Sequence, residues 1–235
     1  MLSTAERGRR GRRIRRELES LRGRELNFDP ARLPQVAQSD PWHIDDYCRE
    51  LPPERAGPSE DAGSFSVAKR LMRHYEFADP KVVTAFYAVD RPLEGRDMLL
   101  EIHFAGLRFP VGVRVAAVVD EIREVDGHSV AVWGWAYRTL EGHLERGQMG
   151  YEVWKWLESG RVEFRIHAVS EVADIANPLV RIGFRLFGRR EQVKFARRCG
   201  ERMIELTERA LGPPGGGERQ PEVVDGIAAS PTPGG

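Results

Sequence analysis

The chain has 235 residues, of which 41% are hydrophobic and 31% are charged, a balance typical of a soluble globular protein. Its 36 basic and 36 acidic residues give a formal net charge of zero, which excludes a bulk electrostatic attraction to nucleic acid or membrane. Two cysteines outside any CxxC pattern and the lack of an apolar run of roughly 18 residues disfavour a disulfide framework and a membrane span, so we expect a cytoplasmic protein.

Residues 1–26 form a basic N-terminal arm. Ile14, Leu18 and Leu21 recur at helical spacing, so the pattern predicts a charged helix with sparse apolar side chains over residues 4–24. Two interpretations remain open: a solvated arm, or an arm that touches RNA or an anionic membrane. No aromatic residue alternates with the arginines, as base stacking would require, so nucleic acid is not the expected partner.

A proline-rich segment follows at residues 27–63. Within it, residues 39–51 predict one short helix, because Asp40 can cap it and Pro41 suits its first position. The segment also carries two aromatic side chains that a strap packed on the fold would bury, Trp42 and Tyr47. We therefore interpret residues 27–63 as a covering strap.

We predict that residues 64–211 form the folded domain. The spacing of their apolar residues predicts a helix over residues 64–75 at its beginning and a long helix at its end. Between these helices the period of the apolar residues becomes alternating. Six strands are predicted, at residues 82–89, 98–104, 111–119, 129–137, 150–157 and 162–169. The short turns imply antiparallel neighbours, so we predict an α+β fold in which a curved sheet of about six strands grips the long C-terminal helix. The Pro- and Gly-rich tail at residues 212–235 is expected to be disordered.

A cavity between the sheet and the long helix is the natural ligand site of such a fold. Alternation places one set of side chains on the helix-facing side of the sheet: Trp133, Trp135, Tyr137, Phe164 and Ile166. The long helix contributes Phe195, Cys199 and Met203. These residues either line a site for a small apolar molecule or fill a solid core. Trp154 and Trp156 fall on the opposite face, where we expect the strap to cover them.

A polar segment at residues 138–148 joins the fourth and fifth predicted strands. His143 and Glu145 stand two positions apart, so on an extended segment they would point the same way and could form an acid–base pair. Thr139 adds a hydroxyl and Arg146 a cation that could hold an anion. The alternative is a turn whose side chains satisfy backbone groups. One His and one Glu are too few for a zinc site, and no phosphate-binding motif occurs, so we predict neither metal nor cofactor.

The run GWAYRTLEGHLERGQMGYEV at residues 134–153, followed by VEFRIHAVS, resembles the signature of the domain-of-unknown-function family 1990. The residues in register with that signature are Gly134, Tyr137, Thr139, Leu140, Gly142, His143, Glu145 and Gly147. The family is placed in the START-like, helix-grip (SRPBCC) superfamily. The resemblance, over about residues 64–211, therefore implies a helix-grip fold with a deep cavity under the long helix, and it implies no known reaction. The positions that depart from the pattern are Arg138, Glu141, Leu144, Gln148 and Met149.

Three hypotheses for the function follow. The first is a protein that binds a small apolar or lipid-like molecule through Trp133, Trp135, Tyr137, Thr139, Phe164, Ile166, Phe195 and Met203. The second is an enzyme of cyclase, dehydratase or hydrolase type that uses His143 and Glu145. The third is an interaction protein that acts through the arginine-rich arm. Neither the ligand nor the oligomeric state follows from the sequence.

Overall fold

The computed structural model describes residues 4–36, 42–104, 106–173, 178–212 and 220–231, and of residues 4–7, 36, 104 and 178–191 it describes the backbone alone. Within these residues the helices are α1 (Thr4–Leu21), α2 (Leu33–Val36), α3 (Ser64–Arg73) and α4 (Pro178–Leu211), with a 3₁₀ turn at Pro30–Arg32. The strands are β1 (His43–Leu51), β2 (Val83–Ala88), β3 (Asp97–Phe104), β4 (Leu107–Val125), β5 (His128–Thr139), β6 (Glu145–Trp156), β7 (Val162–Val172), β8 (Glu222–Val224) and β9 (Ile227–Ser230). These nine described strands form one antiparallel sheet in the order β1-β7-β6-β5-β4-β3-β2-β9-β8.

The six predicted strands are β2 to β7, and consecutive strands of this meander pair with one another. Asp126 and Gly127 have φ values of 51° and 79°, as the two-residue turn between β4 and β5 requires. β4 extends beyond the predicted residues 111–119 at both ends, and a bulge between Val115 and Ala117 bends it without ending it. The predicted α+β, helix-grip architecture is confirmed, with three further strands in the described part of the chain.

The predicted short helix at residues 39–51 is wrong. Residues His43–Leu51 form β1 at one edge of the sheet, where the strand pairs with β7 along its whole length. Continuous main-chain pairing with the edge of β7 satisfies the backbone of this segment, whereas a short isolated helix is only marginally stable, so the pairing outweighs the local capping signals. Asp40 and Pro41, which carried those signals, lie outside the described residues.

The predicted disorder of the tail is also wrong for residues 222–230, which form the β8–β9 hairpin. β9 pairs with β2 and thereby extends the other edge of the sheet. Asp225 and Gly226 have φ values of 51° and 76°, so they repeat the turn geometry of the β4–β5 connection. An Asp-Gly pair between two short apolar runs was therefore the sequence signal for this hairpin. Residues 213–219 and 232–235 of the predicted tail lie outside the described residues.

The main core lies between the inner face of the sheet, α3 and the C-terminal part of α4. Cys199 and Met203 of α4 are fully buried in it, and Phe195 is partly buried. Gly200 allows α4 to approach β1 closely, because a Cβ atom there would lie 2.7 Å from the Cγ of Arg49. Among the helices that the structure describes, none is long and apolar enough to cross a lipid bilayer.

The arginine-rich segment is a docked helix, which differs from the solvated arm that its composition favours. α1 packs on the outer face of the sheet, where six apolar side chains form a second core: Ile14, Leu18, Leu21, Phe86, Leu99 and Leu140. The nearly buried carboxylate of Glu101 in β3 lies 2.9 Å from Arg10 and 2.6 Å from Arg108. Three buried apolar side chains in a helix of 18 residues therefore suffice to hold it on the sheet when a buried acid neutralises its inner arginine.

Trp154 and Trp156 lie on the outer face, but the strap does not cover them. The guanidinium carbon of Arg165 lies 3.8 Å from the ring centroid of Trp154, and that of Arg161 lies 4.4 Å from the ring centroid of Trp156. The predicted cover is wrong because residues 43–51 of the strap form β1, which extends the sheet beyond β7 and does not lie across its face. Stacked arginines shield the indole rings instead.

Candidate functional site

The polar segment at residues 138–148 forms the end of β5, a tight turn and the beginning of β6. The hydroxyl of Thr139 accepts the N–H of Gly147 at 2.9 Å and donates to Oδ1 of Asn27 at 2.6 Å. Asn27 in turn donates through Nδ2 to the carbonyl oxygen of Glu145 at 2.8 Å. The Thr139 hydroxyl therefore joins the two strands to the segment that follows α1.

Gly147 shows why the turn needs glycine. Its φ is +151°, and a Cβ atom there would lie 2.1 Å from the carbonyl oxygen of Val169 in β7. Next to it, Leu26 forms a β-bridge with Leu140, which extends the attachment of the N-terminal segment. The turn therefore anchors residues 24–27 on the sheet. The contacts of its glycines and of Thr139 are structural and account for these residue types.

His143 and Glu145 are neighbours whose side chains diverge. The His143 ring is buried, and its Nδ1 accepts the backbone N–H of Glu145 at 3.0 Å. Burial lowers the pKa of His143 to about 4, so the ring is neutral at neutral pH. The Glu145 carboxylate instead accepts a hydrogen bond from Gln192 of α4. The structure does not bring the two side chains together as an acid–base pair, and Arg146 lies 3.5 Å from Glu171.

The predicted apolar lining residues do come together on the inner face of the sheet. Five of them are buried in one cluster: Trp133, Trp135, Tyr137, Phe164 and Ile166. Tyr75, Phe77 and Tyr151 belong to the same cluster, although the sequence did not single them out as ligand contacts. The ring centroids of Phe77 and Tyr151 are 4.7 Å apart, and those of Trp135 and Tyr151 are 5.2 Å apart. Alternation along β6 placed Tyr151 on this face and was the signal that could have identified it.

Three tyrosine hydroxyls, those of Tyr75, Tyr137 and Tyr151, lie near one another in this cluster. Burial raises the pKa of each, and the neighbours that shift these pKa values include the other two hydroxyls and the Cys199 thiol. The hydroxyls of Tyr137 and Tyr151 contact Sδ of Met149 at 3.5 and 2.9 Å. The Tyr75 hydroxyl is buried and lies close enough to the hydroxyls of Tyr137 and Tyr151 for each to shift its pKa, but it forms no hydrogen bond of good geometry with them or with any other group that the structure describes.

Tyr75 also has an unusual backbone. It follows the C-terminus of α3 with a φ of 62°, in the left-handed region. Its N–H donates to the carbonyl of Met72 at 3.1 Å, and the N–H of Glu76 donates to the carbonyl of Leu71 at 2.9 Å. This is a Schellman arrangement, in which the left-handed position is usually glycine. A side chain there costs about 1–2 kcal/mol, so Tyr75 combines backbone strain with an unsatisfied hydroxyl.

A polar edge borders the hydroxyl cluster where β6 and β7 meet α4. Gln192 of α4 contacts both Glu145 and the hydroxyl of Ser170, the latter at 3.3 Å. The Glu145 carboxylate helps to raise the pKa of Tyr137, after the larger effect of burial, which places this acid within electrostatic reach of the cluster. Within the described part of the chain, no group of three His, Cys, Asp or Glu side chains is arranged to hold a metal ion.

The sequence profile of the family described as Domain of unknown function (DUF1990) matches residues 31–202. The chain belongs to this family. The matched region begins before the helix at which we expected the domain to start, so it takes in the strap and β1 as well as the meander. The family predicted from the motif at residues 134–153 is thereby confirmed. No curated protein sequence matches the chain.

Several solved structures are similar in fold to this DUF1990 protein. A START superfamily protein from Mycobacterium smegmatis is 13% identical with a TM-score of 0.39, over 69% of this chain and 97% of that one. The Zhui aromatase/cyclase from Streptomyces sp. R1128 is 11% identical with a TM-score of 0.46, over 74% and 98%. Norcoclaurine synthase from Thalictrum flavum is 8% identical with a TM-score of 0.43, over 73% and 97%. At these values the likeness assigns no activity to this chain.

Proposed function

We propose that this DUF1990 protein binds a small, largely apolar molecule that carries a hydrogen-bond acceptor, between the inner face of the sheet and α4. The observation that carries the proposal is the buried hydroxyl of Tyr75, which lies among the hydroxyls of Tyr137 and Tyr151 but forms no hydrogen bond of good geometry. A bound carbonyl, ether or similar oxygen would supply the missing acceptor. The apolar remainder of the ligand would lie against the aromatic cluster.

The energetic argument concerns two costs at one residue. A buried hydroxyl that forms no hydrogen bond of good geometry costs up to about 3 kcal/mol, and the left-handed backbone of Tyr75 adds to this. Phenylalanine would fill nearly the same volume without the first cost, and glycine would remove the second. Costs of this kind are typical of positions that serve binding, where a group is held ready for a ligand.

The chemistry of the cluster supports an acceptor on the ligand. Burial raises the pKa of Tyr75, so its hydroxyl stays protonated and can donate. The neighbouring Trp135 does not compete, because its indole N–H already donates to the carbonyl of Met72 at 3.2 Å. The hydroxyls of Tyr137 and Tyr151 rest on the weak acceptor sulfur of Met149, so a ligand oxygen could replace that contact at little cost.

Two matched probes test the proposal, 2-acetylnaphthalene and 2-isopropenylnaphthalene, which have the same shape and differ by one acceptor oxygen. The native protein should bind the ketone about five- to tenfold more tightly, the value of one buried hydrogen bond of about 1–1.4 kcal/mol. Tyr75→Phe should abolish this preference while the affinity for the alkene stays unchanged. Titration followed by tryptophan fluorescence measures both affinities.

Tyr87→Phe is the matched control. The Tyr87 hydroxyl is also buried, but it donates to the carbonyl of His74 at 3.2 Å. Its loss should lower the free energy of unfolding by about 1 kcal/mol and leave the probe preference intact. Tyr75→Phe should keep or raise stability. A native protein that binds neither probe, or a Tyr75→Phe variant that retains the preference for the ketone, would overturn the proposal.

A further inference from the structure

The outward side of α1 carries arginines that the fold does not use. The inward side is fixed on the sheet by the buried Leu21 and by the ion pair between Arg10 and Glu101. Arg15 donates to the carbonyl oxygen of Asp225 at 2.7 Å, so the helix also contacts the turn of the β8–β9 hairpin. Because these contacts hold the helix at several points, its outward side is presented in one orientation.

Arg9, Arg12 and Arg16 form a row on that outward side. They are three and four positions apart, which places them on one stripe of the helix over about 10 Å. All three are exposed, and none forms an ion pair or hydrogen bond with a residue that the structure describes. One acid, Glu19, continues the stripe, so the row keeps a net positive charge. An anionic partner would relieve the repulsion among the arginines.

An exposed aliphatic side chain lies beside this row. Val224 is 58% exposed on β8, in the hairpin that Arg15 contacts. It pairs with Ile227, which packs against the second core under α1, so Val224 lies on the α1 side of the sheet. Cations bordered by a protruding aliphatic group match a bilayer interface, where phosphates and the edge of the hydrocarbon lie at neighbouring depths.

We propose that α1, together with the β8–β9 hairpin beside it, docks the protein on a membrane surface rich in anionic phospholipid. The arginine row contacts lipid phosphates, and Val224 enters the boundary between headgroups and acyl chains. α1 contains no aromatic residue on which a nucleic acid base could stack, which favours lipid over RNA or DNA. The surface lies on the opposite face of the sheet from the aromatic cluster, so the proposal does not depend on the proposed ligand.

Sedimentation with vesicles tests the proposal on the full chain. Binding is expected to vesicles of phosphatidylglycerol mixed with phosphatidylcholine, to fall as salt is added, and to be absent from pure phosphatidylcholine. The triple variant Arg9→Gln, Arg12→Gln and Arg16→Gln should bind roughly a hundredfold more weakly, since each arginine contributes about fivefold near an anionic surface. Its melting temperature should stay that of the native protein, because these side chains are exposed.

The control removes the same charge from other elements by Arg32→Gln, Lys81→Gln and Arg209→Gln, all at exposed positions. It should leave vesicle affinity within about threefold of native. Val224→Ser should weaken binding without changing its salt dependence. Failure of the native protein to bind anionic vesicles at low salt would overturn the proposal. So would tighter binding to a duplex DNA or single-stranded RNA oligonucleotide that the arginine triple variant abolishes.

Discussion

Lys155 and Glu54 form a buried ion pair that fixes the strap to the sheet. The Nζ of Lys155 lies 2.5 Å from Oε2 of Glu54, and the two side chains are 0% and 2% exposed. Oε1 of Glu54 accepts the N–H of Phe65 in the first turn of α3 at 2.7 Å. One carboxylate therefore neutralises a cation and satisfies the beginning of a helix.

Lys155→Met should lower the free energy of unfolding by about 3–5 kcal/mol, because Glu54 would stay buried without its cation. Denaturant titration measures the loss. Arg197→Met is the control, since Arg197 and Glu201 form an exposed pair on one helix, where solvent screening leaves little net contribution to stability. Small, equal losses in the two variants would contradict the prediction.

The buried ring of His143 predicts a pH dependence of stability. Its pKa is about 4 in the folded protein against an ordinary 6.5, so the unfolded chain binds the proton more readily. Stability is therefore full above pH 6.5 and is lost as the pH falls toward 4, by about 3 kcal/mol in total. His143→Asn keeps an acceptor for the Glu145 N–H and should flatten this part of the curve. Unfolding measured from about pH 7 to pH 4.5 tests this, and parallel curves for the two proteins would refute it.

For single residues, the sequence predicted the face of the sheet on which a side chain lies better than it predicted what that side chain contacts. Trp135 and Tyr137 were assigned to the inner face because alternation depends only on the strand, and they lie there. Thr139 and His143 were weighed as ligand contacts, yet both bond to backbone or to Asn27. Tyr75 could not be identified as a candidate ligand contact from the sequence. Its left-handed φ and the poor hydrogen-bond geometry of its hydroxyl depend on the folded structure, and no local sequence pattern reports them.

α4 and β1 offer a prediction at the level of elements. In an isolated helix, glycine to alanine is stabilising by about 1 kcal/mol, but at Gly200 the new Cβ would collide with the Arg49 side chain. We therefore expect Gly200→Ala to lower the free energy of unfolding by about 1–3 kcal/mol. In an Arg49→Ala background the same change should become neutral or stabilising. A double-mutant cycle in urea measures the reversal of sign, and additive effects would rule out the close approach.

The elements also show what local patterns can predict. The meander from β2 to β7 was predictable because each strand alternates and each turn is short. β1 was mistaken for a helix because its pairing with β7 is a long-range interaction that no local signal reports. The β8–β9 hairpin was missed although Asp225-Gly226 repeats the Asp126-Gly127 signal, since its strands are only three and four residues long.

The C-terminal hairpin covers one edge of the meander that forms most of the molecule. β9 covers β2, with Ala228 fully buried, and the Ser230 hydroxyl donates to the buried carboxylate of Glu76 at 2.8 Å. A chain that ends at Gly212 should melt at a lower temperature and associate as its concentration rises, because the edge of β2 is then unpaired. Differential scanning calorimetry and light scattering measure the two effects. Val223→Thr in the full chain is the control and should behave as native, and a truncated chain that melts like native would contradict the role of β9.

The Ser230–Glu76 contact spans 154 positions, and the contact between Arg15 and Asp225 spans 210. On the ribosome, strand β2 therefore emerges long before the hairpin that shields it. At ordinary elongation rates the nascent chain carries this bare edge for on the order of ten seconds. Neighbouring ribosomes on one message present the same edge at the same stage, so crowded translation is the condition under which this protein is most exposed to pairing with its own copies.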